Sequence, residues 1–352
     1  MTEAAEHPFV GVPASEQVRR LTALAEAVLP EFGLEGAGLE LIKYRENAVF
    51  LVRGDAGRHV LRVHRPGYRT AAEIRSEIAW MEALDEAGIR TPAARRTRAG
   101  EVVARAEAPG VPEPRLCDVF EFVPGRQLGS LEGGVSGDPA SVRACYRELG
   151  ALAAAVHAHG RRFRPPPGFT RPSWDAGSLV GEEPAFGRFT ELPCLEPEQL
   201  HVLLDARERV RAELAAFGRE SDRFGPIHGD FLPENVLVAE DGPRLIDFDD
   251  CGNGWYLFEL ATALFPLLLR PELSAAREGY LEGYRAAGRL PDADLAVLPA
   301  MLVARGLSYL GWPVGRPEIE EASAVAPLLA GLVTEMARRY LAGERLGEVG
   351  IV

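Results

Sequence analysis

The sequence lacks what a nucleic-acid binder, a membrane protein or a disulfide scaffold would need. Acidic residues outnumber basic ones by 52 to 39, a formal charge of −13, whereas a nucleic-acid-binding face requires a basic patch. The four cysteines, Cys117, Cys145, Cys194 and Cys251, form no CxxC pair. That spacing argues against a zinc cluster and is too sparse for a disulfide framework in 352 residues. The best apolar run, around Leu264–Leu269, is broken by Pro266 and ends at Arg270, far short of the roughly 18 residues a membrane span requires. The N-terminal MTEAAEHPFVG has neither a basic n-region nor an apolar h-region, so no secretory signal is read there and the cytoplasm is the expected location. No nucleic-acid or membrane partner is expected, and nothing in the sequence speaks to oligomeric state.

Hydrophobic residues make up 47% and charged residues 26%, enough apolar material for one large domain or two lobes with separate cores. Ser15 to Leu29 has helical spacing behind a serine placed to cap it. Leu39–Tyr44, Ala48–Arg53 and His59–Val63 are short, apolar and separated by turn residues, as in a small antiparallel sheet. A helix is expected over Thr70–Ala87, then strands over Glu101–Ala106 and Leu116–Phe122. Phe122-Val-Pro-Gly125 marks a boundary, dividing residues 1–123 from 124–352. Beyond it helices are expected over Ser141–His159 and Glu198–Phe217, and again from Leu257 to Leu341. Pro172–Arg188 reads as an irregular loop. The expectation is an α+β fold with a strand-rich N-terminal lobe, a larger helical lobe and a cleft between them.

The chemistry concentrates in Ile227-His-Gly-Asp-Phe-Leu-Pro-Glu-Asn-Val-Leu-Val238 and Arg244-Leu-Ile-Asp-Phe-Asp-Asp250. Metal-assisted phosphoryl transfer needs one carboxylate for the proton of the attacking hydroxyl, and hard oxygens to hold magnesium against the phosphates. His228-x-Asp230-x4-Asn235, an apolar strand, a turn at Asp241-Gly242 and a second strand ending in Asp247 supply those groups in order. The hairpin sets Asn235 and Asp247 side by side. An acidic hairpin tip alone would account for Asp241 and Asp250, but not for His-Gly-Asp before the asparagine.

This segment resembles the signature of the aminoglycoside phosphotransferase and choline kinase superfamily, His-Gly-Asp-x4-Asn followed by Ile-Asp-[Phe/Trp]. Glu46-Asn47-x2-Phe50, Val60-Leu-Arg-Val-His-Arg-Pro66 and Leu149-Gly-x-Leu-Ala-x3-His157 are similar to positions of its homoserine-kinase-like and stress-response-kinase-like branch, as is Pro172-Ser-Trp-Asp175 more loosely. The resemblance covers most of residues 35–340. It implies the bilobal protein-kinase-like fold with an ATP cleft, ATP and magnesium as cofactors, Asp230 as catalytic base, and Asn235 and Asp247 as metal ligands. His228 would brace the catalytic loop. Asp249 and Asp250 are read either as metal or substrate contacts or as solvated acids. Glu259, in Trp255-Tyr-Leu-Phe-Glu-Leu-Ala261, would anchor the loop where relatives carry aspartate.

Two departures concern the nucleotide. Arg62 stands where relatives often carry a strand lysine, with Glu77 as its expected helix partner and Glu73 as runner-up; a guanidinium can serve carboxylate and phosphate bidentately. No Gly-rich loop covers the phosphates, so Asn47 and backbone groups would do so, and the Glu121–Val123 hinge would hold the adenine. A third departure separates the chain from regulated protein kinases. Gly229 replaces the arginine of H-R-D, Asp249 the glycine of D-F-G, and no A-P-E element follows.

The expected activity is transfer of phosphate from ATP to a hydroxyl of a small polar substrate, with amine-bearing ones among the candidates: an aminoglycoside, homoserine or an amino alcohol. Asp247, Asp249, Asp250 and Glu259 would favour a cation, and Trp174, Trp255, Tyr309 and Trp312 could wall a pocket. A stress-response-type Ser/Thr protein kinase is the alternative. A catalytically silent scaffold of the same fold is the third reading, opposed by the presence of Asp230, Asn235 and Asp247.

Overall fold

The computed structural model describes residues 9, 11–45, 47–129 and 138–348; Glu46 lies outside them. Helix α1 (Ala14–Val28) buries Leu21, Leu24, Ala25 and Val28 on one stripe. Pro13 precedes its first turn and makes no side-chain bond to it. Ser15 therefore lies inside that turn and does not cap it.

Strands β1 (Gly38–Tyr44), β2 (Ala48–Gly54) and β3 (Gly57–Val63) form a meander, and α2 (Ala71–Glu86) follows. Thr70 and Glu73 cap α2 reciprocally, a motif that stabilises a helix start by about 1 kcal/mol. That cap removes Glu73 from the candidates for pairing with Arg62. Then come β4 (Ala94–Arg95), β5 (Ala104–Ala106) and β6 (Arg115–Glu121). The antiparallel sheet runs β1-β2-β3-β6-β4, with β5 also on β6. The expected strand over Glu101–Ala106 is thus three residues long.

Alternation sorts the two faces of this sheet. Phe50, Val52, Leu61, Val63, Cys117 and Val119 join the α1 stripe in a small core; burying such a side chain fully contributes about 1.5–3 kcal/mol. The opposite face carries Arg62 and Asp118. The buried side of α2 packs instead into a second, larger core, where Trp80 meets Phe248 edge-on at 5.7 Å.

After β7 (Arg126–Gln127) come α3 (Pro139–Gly160), β8 (Ser173–Trp174), α4 (Ala176–Val180) and α5 (Pro197–Phe217). The stretch read as an irregular loop therefore holds β8 and α4, the latter capped by Asp175. Strands β9 (Phe224–Ile227), β10 (Val236–Ala239), β11 (Gly242–Leu245) and β12 (Gly252–Trp255) carry the signature loops. Helices α6 (Tyr256–Leu264), α7 (Leu273–Ala287), α8 (Asp292–Leu295), α9 (Leu298–Gly311) and α10 (Glu320–Leu341) complete the large lobe. Helices α3 and α7 touch backbone to backbone: a Cβ on Gly283 or Gly150 would fall on the carbonyl oxygen of Arg147 or Tyr280. Among the described residues no helix is long and apolar enough to cross a membrane.

Candidate active site

The hairpin of β10 and β11 sets the site. Val236 pairs with Leu245 and Ala239 with Gly242, and the Ile246 amide donates to the Asn235 carbonyl at 2.9 Å. Asn235 and Asp247 consequently leave the open end of one hairpin. The second strand ends at Leu245, not at Asp247, because Asp247 adopts φ 63. It is the one non-glycine residue with positive φ among those described, a conformation costing on the order of 1–3 kcal/mol. Strain held at a residue facing the cleft is a mark of a functional position.

Asp230 sits in the loop between β9 and β10. Its two carboxylate oxygens have separate partners: Oδ2 accepts from Asn235 Nδ2 at 2.9 Å and Oδ1 from Arg305 Nη2 at 2.6 Å. Asn235 Nδ2 also donates to the Asp230 carbonyl at 2.8 Å. With its side-chain nitrogen so occupied, Asn235 has its side-chain Oδ1 left to offer a cation.

His228 and Glu259 hold the loop from behind. The His228 Nε2–H donates to the Ile246 carbonyl at 2.9 Å, while Nδ1 accepts from the Asp230 amide at 3.3 Å. Burial lowers the His228 pKa, consistent with a neutral ring bridging the two signature segments. Glu259, fully buried at the start of α6, accepts the Gly229 amide at 2.7 Å. Gly229 has φ +84, and a Cβ there would strike the Asp250 carbonyl, which explains glycine at the position.

Burial pushes the Glu259 carboxyl up to about 7 from 4.5, against the pull of His228 and the Gly229 amide. A raised folded pKa means stability present at pH below 4.5 that is lost as pH rises through about 7. Glu259→Gln keeps the acceptor and removes the charge. Its melting temperature should gain on that of the wild type between pH 5 and 8, and thermal unfolding across that range checks it; parallel curves would contradict it.

Asp230, Asp247, Asp249 and Asp250 lie close enough for their charges to interact, but the acids have different partners. Asp247 is open to the cleft yet crowded by its walls. Confinement there, with the charges of Asp230 and Asp249, raises its carboxyl to about 7 while Lys43 opposes the shift. Asp250 receives a short hydrogen bond from the Tyr68 hydroxyl and an ion pair from Arg69 at 3.0 Å; burial lifts its carboxyl to about 6 against Arg69. Asp249 is buried, 3.9 Å from His64. Glu259 lies beneath the loop and faces no substrate.

On β3, Arg62 pairs with Glu77 of α2 at 2.8 Å. Its stronger partner is Asp118 on β6, the residue opposite it in register, which accepts from Nε at 2.8 Å and Nη2 at 2.6 Å. Asp118 also contacts His64 Nε2 at 2.9 Å. Against the upward push of burial, Arg62 and His64 hold its carboxyl far below the usual range. Asn47 Oδ1 accepts the Arg65 amide at 3.2 Å, which ties the β1–β2 turn to the end of β3. At the hinge, the Glu121 amide already donates to the Ala93 carbonyl at 2.9 Å, so the carbonyl of Glu121 and the groups of Val123 are what remain for a ligand.

Two of the four aromatic residues expected in a pocket belong to the core. Trp255 donates to the Gly218 carbonyl at 2.7 Å and packs on Phe224. Trp174 is buried and donates to the Asp250 carbonyl at 2.6 Å. Tyr309 reaches the site, its hydroxyl 2.8 Å from Arg305 Nη2, and Trp312 flanks Arg316.

Sequence reasoning missed Asp118, Arg305 and Lys43. Each had a signal. Asp118 is an acid inside the apolar run Leu116-Cys-Asp-Val-Phe120, and Arg305 is the one charged residue in Leu298–Gly311; such residues are rarely buried without partners. Lys43 is the one lysine in the chain.

Strand pairing, the left-handed aspartate and the buried loop braces together define a kinase-like phosphotransferase site. Residues 40–295 match the model of the phosphotransferase enzyme family. The solved structure of a microcompartment-associated aminopropanol kinase is 30% identical, with a TM-score of 0.81, over 92% of this chain and 99% of that one. A homoserine kinase of Pseudomonas aeruginosa is 30% identical over 62% of this chain and 61% of its own length. The amicoumacin kinase of Bacillus subtilis is 22% identical over 82% and 83%. The chain belongs to the phosphotransferase enzyme family and is an ATP-dependent phosphotransferase with the mixed α+β kinase-like fold.

Proposed function

We propose that the protein transfers the γ-phosphoryl group of ATP to the hydroxyl of a small amino alcohol in the cytoplasm, with residues 1–123 as nucleotide lobe and 124–352 as catalytic and substrate lobe. One observation carries this reading: Asp230, Asn235 and Asp247 meet at one edge of the cleft with distinct free valences. Asp230 is oriented by Arg305 and Asn235, and retains lone pairs for a hydroxyl proton. The Asn235 Oδ1 and the Asp247 carboxylate are a hard-oxygen pair of the kind magnesium takes from protein in nucleotide sites. Bound there, magnesium would neutralise charge on the phosphate oxygens. The hydroxyl proton passes to Asp230 as the acceptor oxygen bonds to phosphorus, and the bond from phosphorus to the leaving ADP oxygen breaks.

Asp250 supports an amine-bearing acceptor. It lies near enough to Asp230 for their charges to interact, so one short molecule could place its hydroxyl at Asp230 and its ammonium at Asp250. The similarity to an aminopropanol kinase points the same way. The test is ATP consumption with magnesium over a panel of 1-amino-2-propanol, ethanolamine, homoserine, an aminoglycoside and a generic protein. Turnover is expected on a short amino alcohol. Transfer to protein alone would replace this reading with a protein kinase, and transfer to none with a silent scaffold.

A further inference from the structure

We infer that Lys43 on β1, rather than Arg62 on β3, supplies the cation that contacts the phosphates of ATP. The inference deepens the proposed kinase reading and rests on it.

The first ground is that Arg62 is already committed. Its Nε and Nη2 donate to Asp118 and Glu77, and its guanidinium lies 4.8 Å from the centre of the Phe120 ring. Arg171 approaches Glu77 at 3.5 Å. Two arginines against two carboxylates make a buried cluster with no surplus positive charge. A polyphosphate brought to it would have to compete with two carboxylates for the same guanidinium, and breaking a buried pair is strongly unfavourable.

The second ground is where the ladder places Lys43. Lys43 pairs with Val49, Val49 with Arg62, and Arg62 with Asp118. Directly opposed residues project from the same face of a sheet, so Lys43 shares the cleft face with Arg62, two strands away. This depends on an irregularity. Leu41 pairs with Phe50, yet the next paired residue of β1 is Lys43, with Ile42 left over as a bulge. In an unbroken ladder Ile42 would face Val49, and Lys43 would face Ala48, whose side belongs to the small core under α1. A one-residue slip exchanges faces, and bulges serve to re-aim a side chain. Here the bulge delivers an ammonium to the cleft.

The third ground is that the ammonium is uncommitted and unusual. Lys43 is half-buried and makes no ion pair with any described residue. Among 39 basic side chains it is the one lysine. A compact ammonium on a flexible stem suits a phosphate contact as a point charge. An edge-strand lysine can also merely discourage strand pairing, and the two roles predict different results.

The test exploits the single lysine. An acyl-phosphate ester of ATP acylates an amine held at the phosphates: the amine attacks the acyl carbon, an amide forms and ATP leaves. Mass spectrometry should find the label on Lys43, and excess magnesium·ATP should prevent it. Lys43→Met should raise the KM for ATP about tenfold, the loss expected for one charge-assisted contact, while the KM for the amino alcohol and the melting temperature stay near wild type. Lys43→Arg should recover part of the ATP affinity. Labelling that ATP does not prevent, or a Lys43→Met enzyme with wild-type KM for ATP, would overturn the inference and leave Lys43 an edge guard. Failure of the kinase reading is a separate outcome: the wild type would transfer phosphate to no acceptor, whatever the label shows.

Discussion

Asp230→Asn is expected to lower kcat by about 10²- to 10⁴-fold, the range associated with a general base, with little change in the KM for ATP. Asparagine preserves the shape and one acceptor oxygen but cannot take the hydroxyl proton. The substitution also leaves the guanidinium of Arg305, 2.6 Å away in the wild type, without its carboxylate. Arg305 is almost wholly buried, so part of the effect could arise from displacement of the loop. Arg305→Lys separates the two contributions: it retains a positive charge but not the fork that contacts Asp230, Tyr309 and the Gly229 carbonyl. Its kcat should fall less than that of Asp230→Asn, and its pH–rate profile should move, because the charge beside the base is repositioned. Steady-state kinetics with saturating magnesium·ATP measures both. Wild-type kcat in Asp230→Asn would remove Asp230 from the chemistry.

The largest stability effect should follow Asp118→Ala. It strips Arg62 of two hydrogen bonds and His64 of one while both remain buried. Removing one partner of a buried charge pair costs about 3–5 kcal/mol, and Glu77 alone cannot satisfy the guanidinium. The pH dependence has a definite sign. The folded pKa of Asp118 is depressed below its ordinary 3.8, so its contribution is present above that value and is lost only as pH falls through the folded pKa. Urea unfolding should show a nearly constant deficit for Asp118→Ala from pH 6 to 8, narrowing only in strong acid. A deficit under about 1 kcal/mol would mean that the cluster is solvated and its geometry unimportant.

Much of the fold was legible because local patterns carried it. The meander of β1 to β3 follows from alternation and turn residues, and α2 from its period and the Thr70–Glu73 box. The hairpin that joins Asn235 to Asp247 was legible for the same reason, since its register is set by a short turn. What escaped was long-range. Arg62 is 56 positions from Asp118, and Arg305 is 75 from Asp230; periodicity says which face a side chain occupies but not which distant side chain meets it. The partners of the acids escaped for that reason too. Asp249, Asp250 and Glu259 look alike along the chain, but Asp250 meets Tyr68 and Arg69 while Glu259 braces the Gly229 amide. Lys43 escaped because a bulge reverses the face that alternation assigns to it.

The most direct test of the central claim is ³¹P NMR of a mixture of the protein, magnesium, ATP and 1-amino-2-propanol. The account predicts growth of a phosphomonoester signal on the acceptor hydroxyl together with ADP, dependent on magnesium and absent with Asp230→Asn. ATP converted only to ADP and inorganic phosphate with every small alcohol, or a phosphoester that forms equally well with Asp230→Asn, would contradict it.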